Sequence, residues 1–141
     1  MKTANSHTLT GGCLCGAVRY TCTAEPVMSV NCHCRSCQQA SGSAYAAICM
    51  LPMASVAVTG EVRYYDSPGD TGHNVSRGFC PTCGSHLFGK PAVLPALIGI
   101  KAASLDEPSR YQPSLDMYVN SAQPWDCMNP DLPKFAKAPP G

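Results

Sequence analysis

The chain has 141 residues, of which 13% are charged, with a formal net charge of +1 and ten cysteines. That length suits one domain, large enough to bury a core without obligatory staples. The scattered, near-neutral charge argues against a nucleic-acid binder that works by neutralising phosphates. No apolar run reaches the length of a membrane-crossing helix.

Residues 1–10 read as a loose polar lead-in. They lack the apolar segment of an export signal, so we expect a cytoplasmic protein. Gly11-Gly12-Cys13-Leu14-Cys15-Gly16 follows, a C-x-C pair between glycines that allow a tight turn around sulfur. Residues 17–22 then alternate. Val18, Tyr20 and Cys22 fall on one face and Arg19 and Thr21 on the other, as in a half-buried strand. A short strand over 27–31 delivers the chain to Cys32-His33-Cys34-Arg35-Ser36-Cys37.

Residues 38–42 read as a turn, with room for one helical turn. The apolar run 43–51 reads as a buried strand, because Gly42 and Pro52 bound it. Residues 55–59 and 61–65 read as a hairpin turning at Gly60. A Pro- and Gly-containing loop over 66–73 leads to a strand over 74–79. Cys80-Pro81-Thr82-Cys83-Gly84 follows, and then a short strand over 85–89. In the apolar stretch 92–100, Pro95 implies an edge or a bend. A last strand is expected over 115–120. Beyond Gln123 the tail is rich in proline and reads as an extended segment that packs through Trp125 and frays. The fold class expected is mostly β: one compact domain of short antiparallel strands stapled by zinc–cysteine sites, with no long amphipathic helix.

Ten thiols without an export signal, clustered as C-x-C and C-x-x-C, point to metal ligation rather than to disulfides. Zinc accepts thiolates in a tetrahedron and normally takes four in a structural site. The Cys80/Cys83 knuckle therefore needs a partner pair. Either Cys13 and Cys15 complete it, leaving Cys32, Cys34 and Cys37 as a separate three-thiolate site, or Cys34 and Cys37 complete it as a ribbon. Spacing alone leaves both open, and economy favours the first, because the second strands Cys13, Cys15 and Cys32. Cys22 and Cys49 read as core, and Cys127 as a free thiol. His33 lies between two ligand candidates and would have to fold back to bind the same ion, so a role behind the ligands or at the surface is expected. Arg35 either offsets thiolate charge or is simply exposed.

The three blocks in order, Gly12 to Tyr20, Cys32 to Cys37 and Arg77 to Ser85, resemble the glutathione-dependent formaldehyde-activating enzyme family, which includes a domain similar to that of centromere protein V. The resemblance extends through Ser104-Leu105-Asp106 and Pro124-Trp125, spanning residues 11–126 as one zinc domain with 1–10 and 127–141 as extended terminal segments. It implies two Zn2+ per chain: Cys13, Cys15, Cys80 and Cys83 for a structural ion, and Cys32, Cys34 and Cys37 for a second, catalytic ion with an open position. It implies a carbon–sulfur lyase acting on a thiol adduct such as S-(hydroxymethyl)glutathione, with glutathione as the small-molecule partner and neither nucleic acid nor membrane. Asp116 stands where many relatives carry His, and Lys101-Ala102-Ala103 lacks the glycine common before the Ser-Leu-Asp turn. The alternative is a zinc-stabilised interaction module without catalysis, with both tetrahedra closed.

Overall fold

Strand β1 (Leu9–Gly12) opens the part of the chain that the computed structural model describes, residues 8–140. It pairs antiparallel with β2 (Arg19–Cys22), where Tyr20 and Cys22 are buried and Arg19 and Thr21 exposed, as the alternation requires. Next come β3 (Met28–Cys32), the α-helix α1 (Arg35–Ser41) and β4 (Ala46–Pro52). Strand β5 (Val56–Thr59) returns to β2 and completes a three-stranded sheet in the order β1-β2-β5.

The remaining strands are β6 (Arg63–Pro68), β7 (Asn74–Phe79), β8 (His86–Pro91), β9 (Leu97–Lys101), β10 (Leu115–Met117) and β11 (Lys134–Phe135). With β3 and β4 they build an eight-stranded sheet in the order β11-β10-β3-β4-β9-β8-β7-β6. Its neighbours are antiparallel except at β10, which runs parallel to both β3 and β11.

One face of the large sheet packs on the small one. Cys49, Leu51, Phe88, Ile98 and Ile100 meet Leu9, Val18, Tyr20 and Cys22 in the main core. The Tyr20 and Phe88 rings meet edge to face with centroids 5.6 Å apart, and the Tyr20 hydroxyl lies 2.6 Å from that of Ser104. Asp106 accepts from Arg19 (2.9 and 2.5 Å) and from Thr10 (2.7 Å), so the Ser104-Leu105-Asp106 turn clamps the small sheet to the end of β9.

Several expectations need correction. Residues 55–59 and 61–65 do not pair with each other. A one-residue loop at Gly60 is too short for a hairpin. Gly60 instead takes φ +94° against Ala17 and sends β5 to β2 and β6 to β7, which offers six paired residues. Leu9 and Thr10, read as lead-in, form the start of β1; residues 1–7 lie outside the described residues. Strand β9 is central, between β4 and β8, because Pro95 sits in the turn before it. The last expected strand stops at Met117, where Tyr118 turns left-handed. Trp125 is 69% exposed, so the tail does not pack through it. The tail is held instead through β11 and through Asp126, whose side chain is buried.

Candidate metal centres

The two C-x-x-C-type blocks converge on different places. The Cys13, Cys15, Cys80 and Cys83 sulfurs all lie within 4.8 Å of one another, and so do those of Cys32, Cys34 and Cys37. The arrangement with a separate trio is therefore the one the fold produces; the ribbon of Cys34 and Cys37 with Cys80 and Cys83 does not form.

The four-sulfur group sits at the end of the small sheet. Cys13 Sγ is 3.6 Å from Cys15 Sγ, and Cys15 Sγ is 3.8 Å from Cys80 Sγ. A disulfide would need about 2 Å. Ligands about 2.3 Å from a tetrahedral zinc lie about 3.8 Å apart, so the spacing fits thiolates around one such ion. The surroundings stabilise negative sulfur. Val18 N–H donates to Cys13 Sγ (3.2 Å), and Thr82 and Cys83 N–H point at Cys80 Sγ (3.4 and 3.5 Å). The Ser85 hydroxyl lies 3.2 Å from Cys83 Sγ and, with the Ser85 backbone, lowers that thiol to about 5.

The trio is built by the end of β3 and the start of α1. Cys34 is the N-cap of α1: its sulfur accepts from Cys37 N–H at 3.3 Å, satisfying one of the helix's unpaired amides. Gly42, left-handed at φ 68°, ends the helix about two turns later, so residues 38–42, expected as a turn, belong to the helix and its C-cap. Cys32 and Cys37 are buried and Cys34 is partly exposed. Hydrogen bonds with Cys32 and Cys34 hold Cys37 well below the ordinary thiol range, and the charges of Lys101 and Arg77 add to that. The same hydrogen bonds, with burial, push Cys32 up. Without an ion the three sulfurs share protons; a bound divalent cation takes their place. No fourth His, Cys, Asp or Glu joins the trio among the described residues.

Register explains what surrounds the trio. Directly paired residues share a face of a sheet, as do alternate residues of one strand. The pairs Arg77↔Gly89, Gly89↔Gly99, Lys101↔Ile48 and Ala46↔Cys32 therefore carry one face from β7 across to β3, opposite the main core. Arg77, 9% exposed, reaches Cys37 Sγ with Nη2 at 3.9 Å and donates to the Ser67 hydroxyl at 3.0 Å. Lys101 adds its charge nearby; burial lowers its basicity and Cys37 opposes that. Burial, then Lys101 and Arg77, lower the basicity of His86, whose buried Nδ1 has no hydrogen-bond partner. Sequence reasoning missed Arg77 and Lys101 because only the register of five strands brings them to the trio. His86 stands in no motif that would mark it in the sequence.

His33 points away from the trio. Its Nδ1 is 2.6 Å from Asp126 and its Nε2 is 2.8 Å from Asp116, so neither nitrogen is left for an ion. Asp116 in turn accepts from Lys134 at 3.0 Å. Arg35 is exposed and donates to Gln38 at 3.3 Å. Cys22 and Cys49 are core residues, as expected, and Cys127 is exposed.

A mostly β domain with two separate groups of metal-competent thiols is a narrow class of protein. The sequence model for the glutathione-dependent formaldehyde-activating enzyme matches residues 8–121, and the chain belongs to that family. No curated protein matches it. Its fold is shared with a crystal structure of a protein from Rhodobacter sphaeroides, 19% identical, covering 89% of this chain and 98% of that one with a TM-score of 0.55. No helix among the described residues is long and apolar enough to cross a membrane.

Proposed function

We propose that this protein is a zinc-dependent carbon–sulfur lyase that makes or cleaves a thiol adduct of the S-(hydroxymethyl)glutathione type. The observation that carries the reading is the three-sulfur group, joined by no fourth His, Cys, Asp or Glu among the described residues and lying beside two cations. Cys13, Cys15, Cys80 and Cys83 would hold a structural zinc, and Cys32, Cys34 and Cys37 a second. Bound there, zinc would lower the pKa of an incoming thiol and keep it as thiolate, the reactive nucleophile.

The chain's own residues do the rest. Cys32, Cys34 and Cys37 fix where the substrate sulfur is held, and the α1 cap orients Cys34. Arg77 and Lys101 offset negative charge on sulfur. Tyr118, packed with Ile48 and Met117 against the cluster of Cys32, Cys37 and Ala46, excludes water from one side. In the forward direction the sulfur–carbon bond forms, the carbonyl π electrons move to oxygen, and the proton given up by the thiol ends on that oxygen. Cleavage is the reverse. Holding both partners together supplies the gain, since the two combine without help.

The test is exchange spectroscopy of glutathione, formaldehyde and their adduct at equilibrium. Catalysed exchange above background in the wild type, lost in Cys34→Ala with the four-cysteine centre still loaded, is expected. Equal exchange with and without protein would remove the enzymatic reading and leave the interaction module.

A further inference from the structure

We propose that Arg77 and Lys101 form a dicationic wall that selects an anionic ligand, the thiolate form of the substrate, for the Cys32/Cys34/Cys37 centre. This rests on the thiol chemistry proposed above and goes further. It assigns two side chains outside the cysteine motifs to the choice of what binds.

The argument is one of charge in a place with little water. Arg77 is 9% exposed, and Lys101 shares its face of the sheet. Among the described residues neither meets a carboxylate. The Arg77 guanidinium contacts the Ser67 hydroxyl and Cys37 Sγ, and Lys101 stands on the same face, its charge lowering the Cys37 thiol together with that of Arg77. A buried cation such as Arg77 without counter-charge is costly, so something in the site must supply it. Three thiolates around a divalent ion carry a net charge of minus one. Two cations over-compensate that by one, and a neutral ligand such as water leaves the excess in place. A fourth thiolate cancels it.

The same face gives such a ligand room. Gly89 lies in register with Arg77, and a side chain added there would meet nothing within 4 Å. At Gly99, the next residue in the row, the Ile48 and Met50 side chains fill the space, so the opening is confined to Gly89. The open position therefore stands beside Arg77, where part of a substrate can lie.

The test uses protein with cobalt(II) in place of zinc, whose sulfur-to-cobalt absorption reports a new thiolate ligand. Two probes are titrated: glutathione, and 2-mercaptoethanol, which has no carboxylate. Both should bind the wild type. Lys101→Met and Arg77→Gln should each weaken both by about tenfold or more, with two ions per chain retained. Lys101→Arg should recover most of the affinity, which separates charge from packing should Arg77→Gln lose its ion. Unchanged affinity in Lys101→Met would overturn the proposal. So would a loss confined to glutathione, because the cations would then serve a substrate carboxylate. If neither thiol perturbs the wild-type spectrum, the proposed function falls first and this inference with it.

Discussion

His33 Nδ1 lies 2.6 Å from Asp126 Oδ2, and through that contact the loop between two of the trio's cysteines is tied to the C-terminal segment. The opposite nitrogen faces Asp116, which also takes the Lys134 ammonium, and both carboxylates are about 1% exposed. His33 is thus the bolt between β3, β10 and the tail. Removing it leaves two buried carboxylates short of a partner. His33→Ala should lose about 3–5 kcal/mol in urea unfolding of the metal-loaded protein. Amide exchange should rise first in β11 and around Asp126. A loss below about 1 kcal/mol would show that the tail is held by its backbone pairing alone.

Tyr118 is the single non-glycine residue with positive φ, +59°, among the described residues. A left-handed backbone costs an ordinary residue about 1–2 kcal/mol that glycine does not pay. Tyr118→Gly and Tyr118→Ala remove the same packing against the trio. The glycine variant should therefore be more stable by about 1 kcal/mol in parallel denaturation curves. Elsewhere in a strand or helix the order would be reversed.

Burial raises the Cys22 thiol to about 11 from its ordinary 9.0. The folded state thus favours the neutral form. Its contribution to stability is complete below pH 9 and is lost as pH rises from about 9 toward 11, because the unfolded thiol ionises first. Cys22→Ala has no such loss. The stability difference between wild type and Cys22→Ala should therefore shrink across that interval, as followed by thermal unfolding from pH 7 to 11.

Thiol alkylation sorts the ten cysteines by environment. Cys127 is exposed and outside both groups, so it should react first in the native, loaded protein. Cys22 and Cys49 are 0% and 2% exposed, with thiols raised by burial, and should stay unmodified until unfolding. Adding a chelator should open the seven cysteines of the two groups to the reagent. Peptide mapping by mass spectrometry reads all three behaviours.

What the sequence discloses is local. The cysteine blocks are legible because each is held within six residues, and their glycines mark the turns that gather sulfur. The β2 alternation is legible because burial on one face has a period of two. What fails is long-range. Gly60 announces a turn, but nothing in residues 55–65 says that one side belongs with β2 and the other with β7. The run 115–120 looks like continuous strand because left-handed Tyr118 has no sequence mark. Trp125 attracts a packing role by its size, whereas the tail is anchored by polar groups whose partners, His33 and Asp116, lie far away in sequence. Asp116 makes sense only once it is seen against His33 and Lys134. The Arg77 and Lys101 pair is hidden for the same reason: five strands must be in register before the two side chains share a face with Cys32.

The most direct test of the central claim is the zinc content of reduced, purified protein, measured in the wild type and in Cys34→Ala. The account predicts two ions per chain in the wild type, and one in the variant with an unchanged circular dichroism spectrum. A single ion in the wild type, or two in Cys34→Ala, would contradict an independent three-cysteine centre.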